Sequence, residues 1–318
     1  MRLEGIHHIT CVTGDAPQNV DFYVRVLGLR LVKKTVNQDD PTVYHLFYAD
    51  EAGSAGADLT FFEYPDAARG RAGDGMVHRV GWRVRSAEAL GFWTERLSAD
   101  GLVAESDEEA TLRFTDPEGL EHELLVEDVT DPPLIADAPD VPGEHALRGF
   151  AGVRAYASDP SRSERLLGEK LGFRPLGPGA WERRGAERGA FYAYDAPPPE
   201  RGRPGAGTVH HVAFASPPEE HEAWRERVAA AGARPTPVID RYYFESVYFR
   251  EPSGVLFELA TLGGAGFARD EDPEHIGEGL SLPPNYEPMR ARLEEVLTPL
   301  PDPRSGSRPT RSNLENAP

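Results

Sequence analysis

Short segments in which apolar and polar residues alternate recur along the chain, each followed by a stretch with helical spacing and then by more alternating segments. Ile6-His7-His8-Ile9-Thr10 opens the first of these strands. Asp15 then stands where a helix N-cap belongs, Val20 to Leu27 carry apolar residues at helical spacing, and Gly28 supplies the stop. Strands are predicted next at Arg30–Val36, Val43–Ala49 and 58–64. The same order returns three more times, with a period of about 60 to 70 residues. The second copy opens at Val77-His78-Arg79-Val80, caps a helix with Ser86, stops near Gly101 and closes on Leu120 to Val126. The third opens at Gly152 to Tyr156, places its helix after Ser158-Asp159-Pro160, stops at Gly172 and reaches a strand at 191–194. The fourth begins at Val209, offers Ser216-Pro217-Pro218-Glu219 as a capping box, stops at Gly232 and finishes on Gly254 to Ala260.

Linkers rich in Pro, Gly and charge separate the copies at 65–75, 128–144 and 196–207, and the middle one marks the expected domain boundary. Two modules are therefore expected within 1–127, a linker at 128–147, and two modules within 148–262. A C-terminal extension, 263–318, carries one helical stretch at 286–297, and its Pro-, Ser-, Arg- and Asn-rich end, 301–318, is expected to be disordered.

Composition narrows the function classes. The formal net charge of −19 argues against nucleic-acid and anionic-membrane partners, which call for clustered Lys and Arg. No apolar run is long enough to span a bilayer. The single cysteine, Cys11, excludes an intrachain disulfide framework, and the opening Met1-Arg2-Leu3-Glu4 is unlike a secretory signal, so a cytoplasmic location is expected.

The chemistry sits in a repeated device. Val209-His210-His211-Val212-Ala213 repeats the histidine pair of the first strand, and Leu256-Phe257-Glu258-Leu259-Ala260 places a lone carboxylate in an apolar strand, where an unpaired charge is costly to bury. Side chains alternate along a strand, so His8 shares a face with Ile6 and Thr10 while His7 shares the other with Ile9 and Cys11. In the fourth copy His211 lies with Ala213 and Ala215, a face that leaves room for a ligand, and Glu258 lies with Leu256 and Ala260. His8, His211 and Glu258 thus form the candidate metal set. Arg79 and Gly152 occupy the histidine position in the second and third copies, so only the first and fourth are equipped, and these two are expected to share a curved sheet around one ion. Glu63, in Phe61-Phe62-Glu63-Tyr64, is the competing carboxylate. His122, His221 and His275 read as solvated.

With that set in hand the chain resembles the vicinal oxygen chelate superfamily, and within it ring-cleaving dioxygenases acting on hydroquinones. The resemblance covers roughly residues 5–290. It is carried by His7 to Thr10, Val32-Lys33-Lys34-Thr35, Tyr44 to Glu51, Glu144-His145-Ala146, Arg148-Gly149-Phe150, Tyr243-Phe244-Glu245-Ser246 and Phe267 to Asp272. The fold it implies is α+β, four βαβββ modules forming two curved mixed β-sheet half-barrels flanked by helices. It implies His8, His211 and Glu258 as metal ligands and assigns pocket positions to His7, His210, Thr10, Arg241 and Tyr248. Tyr248 and Arg241 are expected to stabilise a phenolate or developing oxyanion, and Thr10, Tyr242 and Tyr243 to contact substrate. The chain departs from its relatives at Tyr242, where they tend to have glycine.

Two imidazoles and a carboxylate that leave neighbouring coordination positions open suit non-heme Fe(II), with Mn(II) as the other candidate. The expected partners are a small aromatic substrate and O2, with a homo-oligomer as a further expectation. Two rival functions share the scaffold. A metal-dependent glyoxalase-like lyase, isomerase or thiol transferase would add a further glutamate to the metal set. A ligand-sequestering protein would need no metal.

Overall fold

The computed structural model describes residues 1–106, 111–127, 129–263, 267, 270–272 and 275–300. The first module supplies β1 (Ile6–Thr13), β2 (Arg30–Val36), β3 (Tyr44–Ala49) and β4 (Asp58–Glu63), and the second β5 (Val77–Val84), β6 (Glu105–Ser106), β7 (Thr111–Thr115) and β8 (Glu121–Val126). The third supplies β9 (Phe150–Tyr156), β10 (Arg174–Gly177), β11 (Ala180–Arg184) and β12 (Gly189–Asp195), and the fourth β13 (Thr208–Ser216), β14 (Ile239–Asp240), β15 (Glu245–Arg250) and β16 (Leu256–Thr261). These strands form two 8-stranded sheets, ordered β14-β15-β16-β13-β1-β4-β3-β2 and β10-β11-β12-β9-β5-β8-β7-β6. Modules one and four therefore build one sheet and modules two and three the other. In each sheet the opening strands of the two modules pair antiparallel at the centre, β1 with β13 and β5 with β9.

Local signals explain most of the helices. Asp15 accepts a hydrogen bond from the Gln18 amide and starts α1 (Ala16–Val20), which passes into a π-helical turn at Asp21–Val26 and ends at Gly28 with φ of 67°. Ser86 caps α2 (Ala87–Ala99) by accepting from the Ala89 amide. The third module repeats the π-helical turn after α3 (Ser161–Glu164). The capping box expected at Ser216 does not form. Pro217 is extended there, a 3-10 turn at Pro218–Glu220 intervenes before α4 (His221–Ala230), and the Ser216 hydroxyl instead meets His221 Nδ1 at 2.8 Å. The expected C-terminal helical stretch is a 3-10 turn at Glu287–Met289 followed by α5 (Arg290–Val296), while 301–318 lies outside the described residues.

Two histidines expected at the surface are buried. His122 Nδ1 accepts from the Trp82 indole at 3.1 Å, and its Nε2 lies 3.1 Å from the Tyr23 hydroxyl, which donates to Asp116 at 3.0 Å. His221 is 2% exposed, whereas His275 does lie at the surface. The charged neighbours Glu121 and Glu123 suggested solvent for His122, but strand alternation sends them to Arg79 and Arg154 and turns the imidazole toward the opposite, helix-covered face.

The second sheet keeps the frame of the first without its ligands. His8 opposes Ala213 and Thr10 opposes His211; in the other sheet Arg79 opposes Arg154 and Gly81 opposes Gly152. Arg79 therefore stands at the place of His8 and Gly152 at that of His211. Ala193, opposite Arg154, takes the place that Glu258 holds opposite Ala213. A side chain at Gly152 would collide with Phe191, whose Cγ lies 2.5 Å from where a Cβ would stand.

Candidate metal centre

The central strands of the first sheet deliver His8 and His211 side by side, and β16 lays Glu258 against them. His8 Nε2 and His211 Nε2 are 3.3 Å apart, and Glu258 Oε2 is 3.2 Å from the first and 2.8 Å from the second. All three residues are buried, and theirs is the one such three-donor cluster among the described residues. Two donors at right angles around an ion about 2.1 Å from each lie about 3.0 Å apart, against about 3.4 Å at a tetrahedral angle. The observed triangle, 2.8 to 3.3 Å on a side, matches three donors gathered round a single ion. Glu258 Oε2 also lacks a well-directed hydrogen bond although it is fully buried, as expected of an atom reserved for a cation.

The neighbouring residues aim this set. His7 Nδ1 lies 2.9 Å from His8 Nδ1, and His210 Nδ1 lies 2.8 Å from His211 Nδ1. One proton serves each contact. With the proton on the inner histidine, Nε2 of His8 and of His211 presents a bare lone pair toward Glu258. Burial and the adjacent His8 push His7 down to about 3, and burial and the adjacent His211 push His210 down to about 4, so both outer rings are neutral acceptors at pH 7. Ser246 donates to Glu258 Oε1 at 2.5 Å and fixes the rotation of the carboxylate. Burial alone would raise the Glu258 carboxyl; protons on Nε2 of His8 and His211, which a bound ion would displace, hold it well below the usual range.

Glu63 does not join the centre. It lies on the other face of β4, where it accepts from the Ala16 amide at 3.2 Å at the start of α1. The register identifies the true counterpart of Glu258: β4 sets Thr60 opposite Thr10 as β16 sets Glu258 opposite Ala213. The Thr60 hydroxyl is engaged by Thr10 at 2.8 Å and by His45 Nε2 at 2.9 Å.

Above the cluster lies a cavity walled by Phe47, Phe62, Phe244, Tyr243, Tyr248 and His45. The Tyr248 ring meets His211 edge to face with centroids 5.6 Å apart, and burial together with the Glu258 charge pushes its hydroxyl up, so the phenol keeps its proton. Arg241 reaches the cavity from the approach to β15, with Asp39 bound to its two terminal nitrogens at 2.9 and 3.0 Å. Of the residues expected to contact substrate, Tyr243 lines the cavity. Thr10 is buried beneath it, and Tyr242 turns its ring onto Tyr243, 5.0 Å between centroids. Tyr242 holds φ of 66°, in the left-handed region that glycine occupies without strain.

The C-terminal extension closes one side. Phe267 packs on Phe47 at 4.6 Å and on Phe244 at 5.5 Å between centroids. The buried Lys33 ammonium anchors the segment through Asp270 and Glu271, both at 2.7 Å. Two sequence segments more than two hundred residues apart thus meet in one ion-pair cluster. Sequence reasoning singled out neither Ser246, Thr60 nor Asp39 for a role; Ser246 shares a strand face with Tyr248, which was the one available signal.

A family model described as Glyoxalase/Bleomycin resistance protein/Dioxygenase superfamily matches residues 5–124 and 149–259. The chain belongs to this superfamily. Within the superfamily it is 38% identical over 316 residues to MhqA of Bacillus subtilis (strain 168), which carries the name of a ring-cleaving dioxygenase; the match covers 94% of this chain and 100% of that one. It is 33% identical over 319 residues to the chlorohydroquinone/hydroquinone 1,2-dioxygenase of Sphingobium indicum, covering 95% and 97% of the two chains. A crystal structure of a Bacillus subtilis protein named as a dioxygenase superposes with a TM-score of 0.88 at 37% identity, over 94% of this chain and 98% of that one. Glyoxalase I from Zea mays, at 15% identity and a TM-score of 0.56 over 81% of this chain and 92% of that one, shares the fold alone.

Proposed function

We propose that the protein is an Fe(II)-dependent, extradiol-type ring-cleaving dioxygenase that opens a hydroquinone or catechol-like ring with both atoms of O2. The observation that carries this reading is the three-donor cluster at the floor of an aromatic-walled cavity. Relatives at 33% to 38% identity that are named as ring-cleaving or hydroquinone dioxygenases support it.

His8 Nε2, His211 Nε2 and Glu258 Oε2 would hold the ion. When bound, Fe(II) supplies the one-electron chemistry that lets a closed-shell ring react with O2. The rest falls to the chain. His7 and His210 hold the inner imidazoles in the tautomer that leaves Nε2 free, and Ser246 holds Glu258. Tyr248, kept protonated, donates a hydrogen bond to a phenolate oxygen or to negative charge developing on it. The phenylalanine walls orient the ring and exclude water, and neutral His45 offers an acceptor or donor for its hydroxyl groups. A glyoxalase-like lyase would call for a further carboxylate in the set. Thr60 stands at the position where symmetry would place it, and Glu63 faces away.

The test is metal analysis of anaerobically purified protein, followed by oxygen uptake and ultraviolet product spectra with a panel of hydroquinones and catechols. The reading expects one ion per chain and oxygen consumption coupled to ring opening. Consumption without ring opening, or none across the panel, overturns it. Among the described residues no helix is long and apolar enough to cross a membrane, so the assay needs no lipid.

A further inference from the structure

We propose that Asp39 is a specificity-determining residue: by occupying Arg241 it restricts the cavity to diphenols without an acidic ring substituent. The inference rests on the ring-cleaving reading above and names the substrate class more narrowly. Arg241 is the only lysine or arginine among the described residues lining the cavity. A guanidinium recognises a carboxylate best through two parallel hydrogen bonds. Asp39 already makes both, Nη1 to Oδ1 at 2.9 Å and Nη2 to Oδ2 at 3.0 Å. One flat face of the guanidinium is taken as well, since it lies over the Tyr248 ring at 5.5 Å.

Backbone contacts hold Asp39 in this position although its side chain is 73% exposed. Asn37 Oδ1 accepts from the Asp39 amide at 2.9 Å, Gln38 Nε2 donates to the Arg241 carbonyl at 2.6 Å, and the Tyr286 hydroxyl donates to the Gln38 carbonyl at 2.7 Å. The loop that carries Asp39 is thereby tied to the loop that carries Arg241. Lys33, on the strand that also carries the cavity-lining Thr35 and Val36, is committed to Asp270 and Glu271. A carboxylate on the edge of the ring that faces Arg241 would meet the charge of Asp39 and, among the described side chains lining the cavity, no unpaired cation, whereas a ring bearing only hydroxyl, alkyl or halogen groups there meets neither penalty. Because Asp39 is largely solvated, screening limits the discrimination it adds to about twofold to fivefold.

The test compares kcat/KM for hydroquinone with that for gentisate, a hydroquinone carrying a ring carboxylate, in the iron-loaded wild type, Asp39→Asn and Asp39→Glu. Anaerobic titration of the two compounds gives their Kd values alongside. The wild type should prefer hydroquinone. Asp39→Asn should move the ratio toward gentisate by about twofold to fivefold, in KM and Kd rather than kcat, and Asp39→Glu should keep the wild-type ratio. A general structural role would instead lower both rates together. Comparable wild-type use of the two compounds, or a proportional loss of both in Asp39→Asn, overturns the inference and leaves the ring-cleaving reading standing. Failure of every variant to open hydroquinone sinks that reading and this inference with it.

Discussion

Removing one hydroxyl should loosen the metal centre. Ser246 is fully buried; its hydroxyl donates to Glu258 Oε1 at 2.5 Å and also meets the Tyr248 hydroxyl. Alanine fits the same space, so the substitution deletes the hydrogen bond to the buried carboxylate together with the contact to Tyr248, and metal affinity rather than turnover reads the first of these. Such a bond is worth about 1.5–3 kcal/mol. Glu258 has no other donor on that oxygen among the described residues, and its freed carboxylate turns away from the orientation that aims Oε2 between the imidazoles. If the whole amount is realised on metal binding, the dissociation constant rises roughly 10- to 150-fold at 25 °C, in line with the losses of about 10- to 100-fold typical of residues that support a metal ligand. The assay is anaerobic competition for Fe(II) or Mn(II) against a chromophoric chelator, with thermal unfolding of the metal-free protein measured in parallel to separate affinity from folding. Ser246→Thr keeps the hydroxyl and should recover most of the loss. A Ser246→Ala protein that binds either ion within about threefold of wild type would refute the idea that this hydrogen bond orients the ligand.

His211→Ala should abolish stoichiometric metal binding, since two donors cannot hold the ion as three do; wild-type metal content by elemental analysis would remove His211 from the set. Tyr248→Phe should lower turnover about 10²- to 10³-fold, the usual worth of one hydrogen-bond donor to developing charge, while leaving metal content unchanged, and equal rates in oxygen uptake would exclude that role. His122 is held neutral, its protonation pushed down by burial to about 3 from an ordinary 6.5. The unfolded chain therefore binds a proton that the folded one does not as pH falls from about 6.5 toward 3, and stability declines on acidification by up to about 1.4 kcal/mol per pH unit from this group. Denaturant unfolding at several pH values should show a shallower acid-side slope for His122→Gln than for wild type, and identical slopes would mean that the imidazole protonates in the folded state.

Much of this architecture was legible because its signals are local. Strand alternation around His8, His211 and Glu258, the caps at Asp15 and Ser86, and the stop at Gly28 depend on neighbours within a few residues. The pairing of the outer modules followed from chemistry, because only they carry ligands. What escaped depends on register between strands far apart in the chain. Glu63 looked like the counterpart of Glu258 because both are lone acids in apolar strands, and only the alignment of β4 on β1 shows that Thr60 holds that position. His122 looked solvated beside two glutamates because a flanking charge says nothing about which face an imidazole takes. Asp39 sits in a polar loop that reads as surface, and its partner lies 202 residues away. The two prolines after Ser216 were read as part of a cap, although Pro217 holds the chain extended and Pro218 opens a 3-10 turn that delays the start of the helix to His221.

Thr60 has a consequence for how a ring sits in the cavity. Two near-copies of one module form the cup, yet its floor carries a carboxylate on one flank and a neutral hydroxyl on the other. A pair of identical flanks would receive a flat, nearly symmetrical molecule equally well in either of two poses related by a half-turn. Here one flank supplies a donor to the metal set and the other a neutral hydroxyl, so the two poses differ in energy and the guest acquires a front and a back. A diphenol whose own symmetry barely distinguishes its edges can then be opened at one bond and not at its mirror equivalent. The difference between Thr60 and Glu258 at equivalent positions thus supplies directionality that neither module holds alone.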